Sequence, residues 1–161
     1  MPPRRLPVLQ NTEPDDERPA WHWTFIGVSF VFCAWVPLAT LGLLVTKRLL
    51  PGDGPAISAA LSVAAPAARA LLWAALAGVP ALSFALACFG AGLLVTRFGA
   101  KARLYDAARA GGLSAVVGAI LSIGWSVAAA MTALVVLTPI GVAAGWAGGR
   151  FGRRLKGRSA P

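Results

Sequence analysis

Three stretches of the chain carry no Asp, Glu, Lys or Arg: residues 19–46, 70–96 and 110–149. At ~1.5 Å per residue in a helix, each of the first two suits one crossing of a ~30 Å hydrocarbon core. The third holds 40 residues and as a single helix would run about 60 Å, twice what one crossing uses. It is therefore expected to cross twice, turning at Gly124, Trp125 and Ser126. The pattern predicts an all-α, polytopic membrane protein, a bundle of four transmembrane helices over residues 23–46, 71–96, 107–125 and 128–149 within one membrane domain, 21–149. Pro37 should kink the first span by freeing a carbonyl one turn earlier. Gly78 and Pro80 interrupt the second in a way that packed membrane helices tolerate.

Between spans one and two the period changes. The turn Pro51-Gly52-Asp53-Gly54 is followed by Ser58, Ser62, Ala65 and Arg69 on one helical face and Ile57, Leu61, Ala64 and Ala68 on another. This predicts a short amphipathic helix over 55–66, lying at the membrane surface and bending into the second span near Pro66. Residues 1–20 are Pro-rich and polar, and are expected to form a disordered cytoplasmic tail. The first apolar run is longer than a signal-peptide core and lacks a convincing cleavage site, so it is taken as a retained span. Residues 150–161 are read as a basic cytoplasmic tail.

Composition agrees with lipid as the solvent: 57% of residues are hydrophobic and 13% charged, against about 25% charged in soluble domains. Charge then orients the bundle. With four spans and the N-terminus inside, 12 of the 15 Lys and Arg fall on the cytoplasmic side and three, Lys47, Arg48 and Arg69, outside. Three spans would divide them 7 to 8 and give no orientation signal. Trp21, Trp23, Tyr105 and Trp146 then lie at the inner interface and Trp73 and Trp125 at the outer one, with Trp35 the exception in mid-span. The net charge of +9 is thus a topology and headgroup signal at the ends of apolar runs, and nucleic acid is not an expected partner. The whole resembles, in type, small four-span proteins of the bacterial inner membrane, and no motif names a family.

Two echoes run through the chain. GLLVT plus a basic residue occurs at 42–47 and 92–97, and AG, four residues, RFG occurs at 91–99 and 144–152. The second suits two duplicated hairpins ending on the same side, while the first would put opposite span ends on one face. Gly141, Gly145 and Gly149 repeat every four residues, a spacing that lets helix backbones approach closely where packing replaces the hydrophobic effect. They are the candidate helix-packing or partner interface. Arg150, Arg153, Arg154, Lys156 and Arg158 follow and are the candidate contacts to anionic lipid headgroups.

Candidate chemistry is sparse. The pattern puts no ionisable side chain deep in a span, where proton relays and ion sites are built. His22 sits between two interfacial tryptophans, Cys33 and Cys88 read as small buried apolar residues, and Asp106 is spaced to pair with Arg103 and Arg109. No catalytic set, metal site or cofactor is expected. The expected function is a non-enzymatic accessory or scaffold protein, packing or oligomerising through glycine-rich faces with itself or within a larger membrane complex. The alternative is a small channel or facilitator working as a homo-oligomer.

Overall fold

The computed structural model describes residues 21–49, 54–99, 102–124 and 126–158. The tail over 1–20, the turn at 51–53 and the end of the basic segment, 159–161, lie outside them. Five helices follow one another: α1 (Trp21–Leu49), α2 (Gly54–Val63), α3 (Pro66–Phe98), α4 (Leu104–Ser122) and α5 (Val127–Arg158), with no strand among the described residues. Four of them, all but α2, are long and apolar enough to cross a membrane. The expected all-α four-span bundle is the observed fold, and the chain is a multi-pass membrane protein.

The ends differ from expectation for local reasons. The surface helix stops at Val63, and Pro66 opens α3 at the first helical position, where its missing N–H is harmless. Arg69 closes the elbow: its backbone N–H donates to the Ala65 carbonyl at 2.9 Å and its guanidinium to the Ser62 carbonyl at 3.3 Å. The third span starts and ends three residues earlier than 107–125. It begins at Leu104 because Asp106 caps it, its carboxylate accepting the Arg103 backbone N–H at 2.7 Å. It ends at Ser122, and the turn, whose Trp125 lies outside the described residues, carries no charged side chain but makes backbone bonds with the helix ends. The N–H groups of Ile123, Ser126 and Ala130 donate to the carbonyls of Ile120, Ser122 and Ser126 at 3.1, 3.3 and 3.0 Å. The basic segment from Arg150 continues α5 as helix to Arg158.

Close approaches give the packing register. α1 and α3 run antiparallel: a Cβ added at Gly27 would lie 3.0 Å from Val95, one at Gly90 3.1 Å from Phe30, and one at Gly42 2.5 Å from Val79. α4 and α5 form the second antiparallel hairpin, with Gly111 facing Gly141 and Gly145 facing Ala107. α3 and α5 lie side by side and parallel, so Gly92 meets Gly145 and Gly149 while Phe89 meets Gly148. The core sits where α1, α3 and α4 converge, on Val31, Phe84, Ala87, Cys88, Ala91 and Ala115, with Leu137, Ile140 and Ala144 of α5 packed against it. Trp35 is half-buried there with its ring edge on Phe84, 5.5 Å between centroids, which accounts for the one tryptophan away from an interface. Of the two cysteines expected to be buried, Cys88 is buried and Cys33 is exposed on the outer surface of α1.

Candidate functional site

The glycine face is committed inside the chain. A Cβ at Gly141 would come 2.5 Å from the Gly111 carbonyl oxygen, and one at Gly145 2.5 Å from that of Ala107. One at Gly149 would meet Ala107 Cβ at 2.9 Å and Thr96 at 3.2 Å. The neighbouring ridge, Gly148 and Gly152, turns to α3, against the Phe89 and Leu93 backbones. All five are buried. A partner therefore cannot reach Gly141, Gly145 or Gly149 without parting α5 from α4.

The second sequence echo acquires a spatial meaning. Its two copies, on α3 and α5, pack on each other in parallel at a register of 53. Thr96 and Gly149, equivalent positions of the repeat, are joined by a hydrogen bond from the Thr96 hydroxyl to the Gly149 carbonyl at 3.0 Å. The same hydroxyl lies 3.0 Å from the Gly92 carbonyl of its own helix. Thr96→Val keeps the shape and removes the donor. In a membrane bundle this should cost about 0.6–2 kcal/mol, read as a lower thermal midpoint in detergent, with Thr96→Ser retaining the wild-type value. The first echo is not matched in space: Gly42 lies against Val79, so residues 42–47 and 92–97 stand at opposite ends of the α1–α3 hairpin.

Charge at the basic end is arranged differently from the expected ladder of pairs. Asp106 is the one acidic side chain among the described residues, 7% exposed, and its carboxylate turns to the Arg103 backbone. Arg109 instead lies over the Tyr105 ring, with Cζ 4.1 Å from the centroid. Arg150 lies over Trp146 at 5.4 Å and Arg97 over Phe98 at 5.8 Å. Stacking on an aromatic face, one turn away for Arg109 and Arg150 and on the next residue for Arg97, holds a guanidinium near the membrane–water boundary while its stem stays on apolar surface. Arg150, Arg153, Arg154 and Lys156 are exposed on the last turns of α5, so these lipid-contact candidates are carried on helix. Arg158 is the last helical residue. The arginine–aromatic pairs are legible as four-residue spacings, 105/109 and 146/150. Their joint placement is not, because it depends on the α4–α5 register.

At the same end His22 stacks on Trp21, 3.9 Å between centroids and 18° between planes, and its Nδ1 is buried without a hydrogen-bond partner. Nε1 of Trp35 and Oγ1 of Thr138 are likewise buried and unpaired. No group of three or more His, Cys, Asp or Glu able to hold a metal ion occurs among the described residues. Compared with known proteins, the chain matches no family model, no curated protein and no solved structure.

Proposed function

We propose that this chain is a non-enzymatic accessory or scaffold protein of the bacterial inner membrane, with both termini in the cytoplasm. The observation that carries the reading is the closed interior of the basic half. Gly92, Gly111, Gly141, Gly145 and Gly148 each stand against the backbone of a neighbouring helix, leaving no lumen there for a substrate or solute. That half presents surfaces rather than a cavity. It meets anionic headgroups through Arg150, Arg153, Arg154, Lys156 and Arg158, and meets partners, or a second copy, through lipid-facing sides other than the glycine face. The 12-to-3 division of basic residues supports the orientation.

The alternative, a small channel or facilitator, has one observation in its favour: Trp35 Nε1 and Thr138 Oγ1 are unpaired inside spans, where a polar group normally finds a partner. With the basic half of the single-chain interior closed, a continuous pathway would have to run between copies. Purified protein in liposomes separates the two readings. The scaffold reading expects ion and small-solute flux at the level of protein-free vesicles, together with in-membrane cross-links to the same co-purifying proteins in repeated preparations. Flux above that background, lost on Thr138→Val, would sink it.

A further inference from the structure

The exposed seam between α4 and α5 has two ends of opposite chemistry. Tyr105, Arg109, Gly112 and Val116 follow one another at spacings of four, three and four on α4, and Val142, Trp146, Arg150 and Arg153 at four, four and three on α5. The two rows flank one line of contact, because a Cβ at Gly112 would lie 3.0 Å from Val142 and one at Gly145 3.6 Å from Ala108. Toward the start of α4 and the end of α5 this seam carries the two stacked guanidiniums, Arg109 on Tyr105 and Arg150 on Trp146. The one acid nearby, Asp106, is buried and caps α4, so no described carboxylate neutralises them. In the other direction the seam narrows at Gly112, which has no side chain. It then opens into a cleft of about 190 Å³ between Val116, Ile120 and Ile123 on one side and Val127, Met131 and Leu134 on the other, lined by apolar atoms alone. Apolar cavities of about 150 Å³ already bind small apolar molecules.

We propose that this seam is a binding site for one anionic diacyl phospholipid from the leaflet on the side of the basic helix ends. Its phosphate sits between Arg109 and Arg150, and one acyl chain lies over Gly112 and enters the cleft. Charge complementarity selects the headgroup: two guanidiniums offer forked donors to phosphate oxygens, and both are held in place by their aromatic partners. Length selects the tail. Val116 is about 10 Å and Ile123 about 21 Å along the helix from Arg109, and a lipid chain traverses a half-bilayer of about 15 Å. The inference rests on the reading of this end as a headgroup contact, keeping Arg150 from that set and adding Arg109 of α4.

The test uses full-length protein reconstituted in phosphatidylcholine vesicles with 10 mol% phosphatidylglycerol, extracted gently and weighed with its retained lipid by native mass spectrometry. The expected result is one phosphatidylglycerol retained per chain in preference to phosphatidylcholine. Arg109→Gln/Arg150→Gln should lower that retention roughly 25-fold, from about one power of five for each cation removed. The charge-matched control Arg97→Gln/Arg103→Gln should change it less than two-fold. Ala119→Phe, which fills the cleft from its wall, should lower retention while leaving both arginines in place. Equal losses in the two charge variants would overturn the site and leave only a diffuse basic surface. Unchanged retention in Ala119→Phe would overturn the acyl-chain half. Release of the wild-type chain from vesicles by alkaline carbonate would refute the membrane reading itself, an outcome distinct from insertion without lipid selectivity.

Discussion

Gly111→Val is expected to abolish the folded bundle at physiological temperature, whereas Gly118→Val, seven residues further along the same helix, should leave it folded. Gly111 stands directly against the Gly141 carbonyl of α5, so a side chain there meets backbone that no rotamer change can move aside. Gly118 has nothing within 4 Å of its added Cβ. Ordinary overpacking in a core costs about 1–3 kcal/mol through shifted side chains. Here the helices must part, and a parted pair also loses the neighbouring contact of Gly145 with Ala107. In lipid no gain from burying apolar area offsets this, because the tails are as apolar as the helices. We therefore expect a loss above about 3 kcal/mol, larger than the ordinary range, against a change within about 1 kcal/mol for Gly118→Val, where valine's better helix propensity acts alone. Thermal unfolding in mild detergent, followed by circular dichroism and size-exclusion, checks both. A Gly111→Val protein that elutes and melts like wild type would mean that the α4–α5 contact adds little.

The contrast between these two glycines also marks how far the sequence could be read. The number of spans follows from where charge is absent, a one-dimensional property, and residues 110–149 had to fold back because 40 uncharged residues exceed one crossing. Starts and stops were readable where a single residue dictates them, as Pro66 does for α3. They were misjudged where two features competed. Asp106 is spaced to pair with Arg103 and Arg109 side chains, and the backbone N–H of Arg103 won the carboxylate. That capping choice moved the start of α4 three residues earlier. The basic residues after Gly149 prolong α5 because Arg and Lys are good helix formers.

Register was the property the sequence withheld. Periodicity says that Gly141, Gly145 and Gly149 share a face, and says nothing of whether that face meets Gly111 and Ala107 of the same chain or another molecule. The echo at 91–99 and 144–152 was the one trace of it. The hydrogen bond from Thr96 to Gly149, 53 residues apart, is that echo expressed as packing. The seam at Arg109 and Arg150 could not be read for the same reason: each arginine–aromatic pair is a local spacing, and only the antiparallel register of α4 on α5 brings the two to one end of one groove.

Topology gives the second large effect, a switch between active and inactive. A reporter active only after export should be silent when fused after Pro161 or inserted in the 99–103 link, and active when inserted at Gly54 or Gly124. Each active site should exceed each silent one by tenfold or more. The prediction at Gly124 is the demanding one. Positive-inside asymmetry acts through the basic residues flanking a span, and the turn at 123–126 has none. Its side of the membrane follows instead from length and from its neighbours. α4, with 19 residues, runs about 28 Å, enough for one hydrocarbon core of ~30 Å. Its start is fixed at the basic end by Arg103, Arg109 and the buried Asp106, and α5 returns beside it with Gly145 against Ala107. If the hairpin instead dipped into the bilayer and came back without crossing, Gly124 would stay silent while Pro161 remained inside. If 110–149 crossed only once, Pro161 itself would be exported, and the division of basic residues would fall to 7 against 8. Export at Gly124 with retention at Pro161 is the pattern that four crossings allow with the basic ends inside, and the reverse at both sites would keep four crossings while inverting the orientation.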